Sequence, residues 1–161
     1  MIKMKFQICL YLFSSALVMY ACKPATKENT SEIKPSTAAT SSYPSLSNEE
    51  ITKLYSIAEK VDMIFYNLPM SVNQDDAASA KNTVLYISPA PAIIANNCKP
   101  LGRLSWISQG VIVQEADIYV NTGCQYMIFM KNNQPVAANA MSESGVEFFN
   151  QIMNQAQSKG K

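Results

Sequence analysis

RLSWISQGVIVQEADIYVNTGCQYMIFMKNNQPVAANAM, residues 103–141, is cut by short turn signals into four runs of strand-forming residues. Gln109-Gly110 separates Arg103–Ser108 from Val111–Val120, and Asn121-Thr122-Gly123 separates that run from Cys124–Lys131. Asn132-Asn133 then separates it from Gln134–Met141. Glycine and asparagine accept the positive φ that two- and three-residue hairpin loops demand. The stretch predicts a four-stranded antiparallel meander. Register counted from the turns places Ile107, Ile112, Ala116, Ile118, Val120, Tyr126, Ile128 and Met130 on one face. The opposite face then collects Leu104, Trp106, Val113, Glu115, Asp117, Tyr119, Met127 and Phe129.

Working outward, Ser47 with Glu50 makes a capping box, and Leu46 with Ile51 a hydrophobic staple. Ile51, Leu54, Ala58, Val61, Phe65 and Leu68 recur at spacings of three and four, so a helix is expected from Asn48 to about Asn67. Pro69 disfavours helical geometry at Leu68 and would end it. For residues 71–88 the reading is a second helix, with Asn73 as cap, Asp75 and Asp76 in its first turn, and Ala77, Ala80, Val84 and Ile87 on its apolar side. Thr83 to Ile87 taken alone would read as a strand. Pro89 and Pro91 predict an extended loop to about Gly102, where the strands begin. Ser142 offers a cap for a last helix bearing Val146, Phe149, Met153 and Ala156, stapled by Met141 and Val146. The expected class is α+β: an N-terminal helix, a second helix, the four-stranded meander and a C-terminal helix.

Charge narrows the function. The chain of 161 residues has a formal net charge of +1 and no histidine. Mechanisms built on a histidine base or histidine metal ligands are therefore excluded. Between Asn48 and Ser158 six basic residues face ten acidic ones, a difference of −4. An acidic domain argues against nucleic acid as a partner and against lying flat on anionic lipid. No glycine-rich phosphate loop, nucleophile elbow or Cys-x-x-Cys motif occurs, and neither a cofactor nor a metal is expected.

At the other end of the chain, Lys3 and Lys5 precede an apolar run from Phe6 to Met19, too short for a typical membrane span. It ends at Tyr20-Ala21-Cys22, which resembles the lipobox of small bacterial lipoproteins, with Met19 and Tyr20 departing from the usual residues. The resemblance covers the leader only. It implies a signal peptide over residues 1–21, lipidation of Cys22, and an exported protein held on a bacterial membrane, facing the periplasm or the cell surface. Residues 23–47, rich in Ser, Thr, Pro and Ala, bury too little apolar surface to offset ordering entropy. They read as a tether spanning roughly 25–30 Å. The domain proper is expected over 48–158, with 159–161 as a tail.

Cysteine parity follows from that leader. Cys9 leaves with the signal peptide and a lipidated Cys22 leaves Cys98 and Cys124 as an even pair. In a meander the two chain ends that carry them share one sheet edge, so a disulfide is expected; a pair of metal thiolates is the weaker alternative.

The aromatic and acidic face offers the candidate site. Trp106, Tyr119 and Phe129 would be anchors for a protein or small-ligand partner, and Glu115 and Asp117 would favour a basic one. The arrangement suits a non-enzymatic binding domain, including an inhibitor- or immunity-type protein. The alternative is a small hydrolase using Glu115 and Asp117, whose alternation puts their Cβ atoms about 6–7 Å apart.

Overall fold

The computed structural model describes residues 43–159; the expected signal peptide, Cys22 and residues 23–42 of the expected tether lie outside the described residues. The elements are α1 (Asn48–Ile57), β1 (Lys60–Phe65), β2 (Ser71–Gln74), α2 (Ala77–Val84), β3 (Ile87–Pro91), β4 (Gly102–Ser108), β5 (Val111–Tyr119), β6 (Tyr126–Lys131), β7 (Gln134–Met141) and α3 (Glu143–Lys159). All seven strands join one antiparallel sheet in the order β2-β1-β4-β5-β6-β7-β3. The expected four-stranded sheet is thus corrected to a seven-stranded one. Three further strands come from stretches read as helix or loop.

The first of these is β1. The capping box forms as expected: the Glu50 amide donates to Ser47 Oγ at 3.2 Å, and the Ser47 amide donates to Glu50 Oε2 at 2.8 Å. The helix stops ten residues later, because Ala58 turns extended (φ −63, ψ 121) while its amide still closes on Leu54 O. From there Val61, Met63 and Phe65 alternate inward, a period of two in place of 3.6. Val61 and Phe65 fit both periods, so the apolar stripe alone does not choose. Pairing chooses: six β1 residues, Lys60 to Phe65, match β4 from Ile107 to Gly102.

Residues 71–91 divide similarly. Ser71–Gln74 pairs with β1, so Asn73 is a strand residue, and the cap of α2 is Asp76, which accepts from the Ser79 amide at 2.8 Å. Ala80 and Val84 are buried as the helical spacing requires. The first residues of the loop expected from Pro89 to about Gly102 belong instead to the edge strand β3, hydrogen-bonded to β7. Two prolines lacking N–H groups suit an edge, where they also discourage pairing with another chain.

The turns behave as their residues dictate. Gln109 and Gly110 have φ of 51 and 76, and Asn132 and Asn133 have φ of 51 and 61. Gly102 answers a different need: a Cβ there would meet Ile64 O at 2.3 Å, so only glycine lets β1 and β4 close at that point.

All three helices pack on one face of the sheet. Leu54, Ala80, Val84, Phe149 and Ile152 join Val61, Met63, Leu104, Trp106, Ile118, Met127 and Phe129 in the main core. The other face holds a second cluster of Ala92, Cys124, Tyr126 and Ala138, with Tyr43, Ile94 and Ile128 against it. Tyr43–Leu46, the end of the stretch read as tether, packs onto the domain: Pro44 O accepts from the Ala138 amide at 2.8 Å. A disulfide joins Cys98 to Cys124 across a separation of 26 residues, holding the 92–98 coil on this cluster. Reducing it is expected to lower unfolding stability by roughly 3–4 kcal/mol in the chain-entropy account. Urea titrations with and without reductant check this; a midpoint unchanged by verified reduction contradicts it.

Candidate functional site

The second cluster covers β6, β7 and the Tyr119 end of β5 on the non-helical face. Over β2, β1, β4 and the rest of β5 the sheet is open, and this region is the candidate binding face.

Its geometry follows from register. Ile64, Arg103, Asp117 and Ile128 form one row across β1, β4, β5 and β6. Asn73, Asp62, Ser105, Glu115 and Met130 form the next, beginning at β2. Arg103 Nε donates to Asp117 Oδ1 at 2.8 Å and Nη2 to Oδ2 at 3.2 Å, a fork on a carboxylate from the neighbouring strand. Its Nη1 donates to Asn133 Oδ1 at 3.4 Å. Tyr66 Oη donates to Asp117 Oδ1 at 2.8 Å. Hydrogen bonding to Asp117 raises the Arg103 pKa above its ordinary value. Burial, then the same carboxylate, raises that of Tyr66. Tyr119 stacks on Tyr126, ring centroids 4.5 Å apart, and burial pushes the Tyr126 hydroxyl up to about 12. Apolar surface is interleaved with these groups: Ile64 is 58% exposed and Ile112 53%. A depression of about 250 Å³ at the hairpin ends is lined by Ile112, Glu115, Met130 and Lys131 among others.

The structure divides the five expected face residues. Glu115 and Asp117 lie on the open part of the non-helical face and Tyr119 on the same face against the second cluster, while Trp106 and Phe129 are fully buried beneath the helices. The expected grouping is corrected by a reversal of β5 alone. Ile107 pairs with Ile112 but Trp106 pairs with Gln114, which leaves Val113 as a β-bulge. One extra residue turns every later β5 side chain over. At the far end Tyr119 pairs with Tyr126, one position from the register that the Asn121-Thr122-Gly123 turn predicts. The expectation that Trp106 is a surface anchor therefore does not hold. Its Nε1 donates to the buried Thr83 Oγ1 at 2.7 Å, and Thr83 in turn donates to Ala80 O.

Asp62, Ile64 and Tyr66 escaped the sequence reading because their stretch was assigned to a helix. The alternation Val61-Asp62-Met63-Ile64-Phe65 was the signal that could have revealed them. Arg103 sits in the interior of the sheet, since β4 lies between β1 and β5. Asp75 and Asp76 serve locally, Asp75 in an ion pair with Lys60 at 3.1 Å and Asp76 as the helix cap. Asp117 has both oxygens engaged by Arg103, one of them also by Tyr66, so the Glu115–Asp117 alternation does not present two free carboxylates. Among the described residues no group of three or more potential metal ligands occurs. No family model, curated protein or solved structure matches this chain.

Proposed function

We propose that the chain is a lipid-anchored envelope protein carrying a non-enzymatic binding domain, of the kind that engages or inhibits another protein. The observation that supports the binding role is the one-sided placement of the helices. All three pack on the Trp106 face, and half of the opposite face displays Ile64, Tyr66 and Ile112 between charged groups. Exposed apolar side chains among polar ones are the composition of an interface. The Arg103–Asp117–Tyr66 group acts as a rigid floor, because side chains already fixed by one another lose little entropy when a partner docks. The anchor rests on the leader, with Cys22 as the lipidated residue and Tyr43, the first described residue, 21 positions further on.

Two measurements test the two halves of this reading. Palmitate labelling in the native cell should mark the wild type and fail with Cys22→Ser; equal labelling of both refutes the anchor. For the binding role, a photo-crosslinking residue at Ile64 should yield a discrete adduct in the envelope of the native cell. The same residue at Gln151, exposed on α3, should not. Adducts at Gln151 alone would assign binding to the helical face instead.

A further inference from the structure

We infer that the open face is built for a basic protein segment whose Lys or Arg side chain lies over Ser105, between the carboxylates of Asp62 and Glu115. The inference rests on the binding reading above and names the partner's chemistry. Asp62, Ser105 and Glu115 are register neighbours on β1, β4 and β5 and share the open face. At the spacing of adjacent strands, the two acidic positions stand about 10 Å apart with only a serine between them. A long cationic side chain laid across the middle strand brings its head within reach of both.

The charges around the site favour that occupant. The two ion pairs of the described residues, Lys60–Asp75 and Arg103–Asp117, consume the cations nearest the row. Asp62 is left with Asn73 as its hydrogen-bond partner, and Glu115 with Ser105 at 3.4 Å; neither has an ion-pair partner among the described residues. Glu59 adds a third carboxylate beside the β4–β5 turn, where it accepts from the Gln109 amide at 2.7 Å. Against these three acids, Lys131 is the one cation among the described residues that line the depression. Apolar side chains flank the row on both sides: Ile64 next to the Arg103–Asp117 pair on one, Ile107 and Ile112 next to Lys60 on the other. They suit the alkyl stem of a basic side chain and apolar neighbours in the partner. Asp117 is not the charge-selecting residue, since Arg103 already neutralises it.

A direct test uses the full chain, isotope-labelled and held in zwitterionic detergent micelles. The probe is an acetylated and amidated Leu-Arg-Leu-Arg-Leu peptide, with Leu-Glu-Leu-Glu-Leu as its acidic counterpart. The basic peptide should shift amide resonances of Asp62, Ile64, Ser105 and Glu115, with affinity falling as salt rises. Asp62→Asn with Glu115→Gln, which keeps shape and hydrogen-bonding capacity, should weaken it about tenfold without moving the thermal midpoint. Should the double variant fail to fold, the single variants and the salt series on the wild type carry the same comparison. Equal affinity of the acidic peptide at the same residues overturns the charge assignment while leaving the open face as the binding surface. Shifts confined to α3, or no shifts at all, overturn the inference, and the α3 result overturns the open-face reading with it.

Discussion

Replacing Trp106 with alanine is expected to destabilise the protein by about 3–5 kcal/mol, the range for removing a large buried aromatic. Trp106 is 0% exposed in the middle of the sheet's helical face, paired with Val61 on one side and Gln114 on the other. Its removal leaves a cavity beneath α2 and takes away the donor that satisfies Thr83 Oγ1. Typical domains have only about 5–15 kcal/mol of stability, so a loss of this size threatens folding at physiological temperature. Trp106→Phe separates the two contributions. It keeps most of the ring volume and loses the hydrogen bond, for an expected cost of about 1–2 kcal/mol. Urea unfolding followed by circular dichroism measures both variants. Because this is the chain's one tryptophan, fluorescence gives an independent reading. Emission should be blue-shifted and insensitive to a soluble quencher in the native state. Red-shifted, quenchable emission would mean that the core has been assigned to the wrong face.

The second large effect is expected at Asn139, a fully buried amide on β7. Its Oδ1 accepts from the Leu46 amide at 2.8 Å, while Nδ2 donates to Leu46 O at 3.3 Å and to Ser88 O at 3.0 Å. The side chain thus stands in for a strand's peptide group, holding the segment before α1 and the start of β3 to β7 together. Asn139→Leu keeps similar volume but strips three backbone groups of their partner. Each buried group left unsatisfied costs about 1–3 kcal/mol, so a total near 3–5 kcal/mol is expected. Asn139→Asp should be no rescue: it can still accept from Leu46 but cannot donate, and it brings a charge into the interior. Besides the unfolding midpoint, amide exchange at Leu46 should accelerate ahead of exchange in β4 and β5. A loss below about 1 kcal/mol, with Leu46 still protected, would show that water takes over these bonds.

Much of the architecture was readable because it is set by local chemistry. The Ser47–Glu50 capping box, the Asn132-Asn133 and Gln109-Gly110 turns and the strands they delimit depend on a few neighbouring residues. So does the start of α3, where Ser142 Oγ accepts from the Gly145 amide at 3.3 Å. The Cys98–Cys124 bond was readable by count, since few cysteines leave few pairings. The candidate site was half readable: Glu115, Asp117 and Tyr119 were singled out, whereas Asp62, Ile64 and Tyr66 were hidden by an ambiguous period.

What the sequence by itself determined, then, is where the chain turns, where α1 and α3 begin, and which runs between the turns are extended. Only the tertiary structure decided that residues 60–65 and 71–74 are strands, and which way β5 faces. The stripe Ala58-Val61-Phe65-Leu68 satisfies a helix and Val61-Met63-Phe65 satisfies a strand; six paired positions on β4 break the tie, and those lie some forty residues away. The bulge at Val113 is likewise invisible locally, because a valine there suits a regular strand equally well. It is selected by which register buries Trp106, Ala116 and Ile118 together under the helices, a burial energy that exists only once the sheet and helices have met.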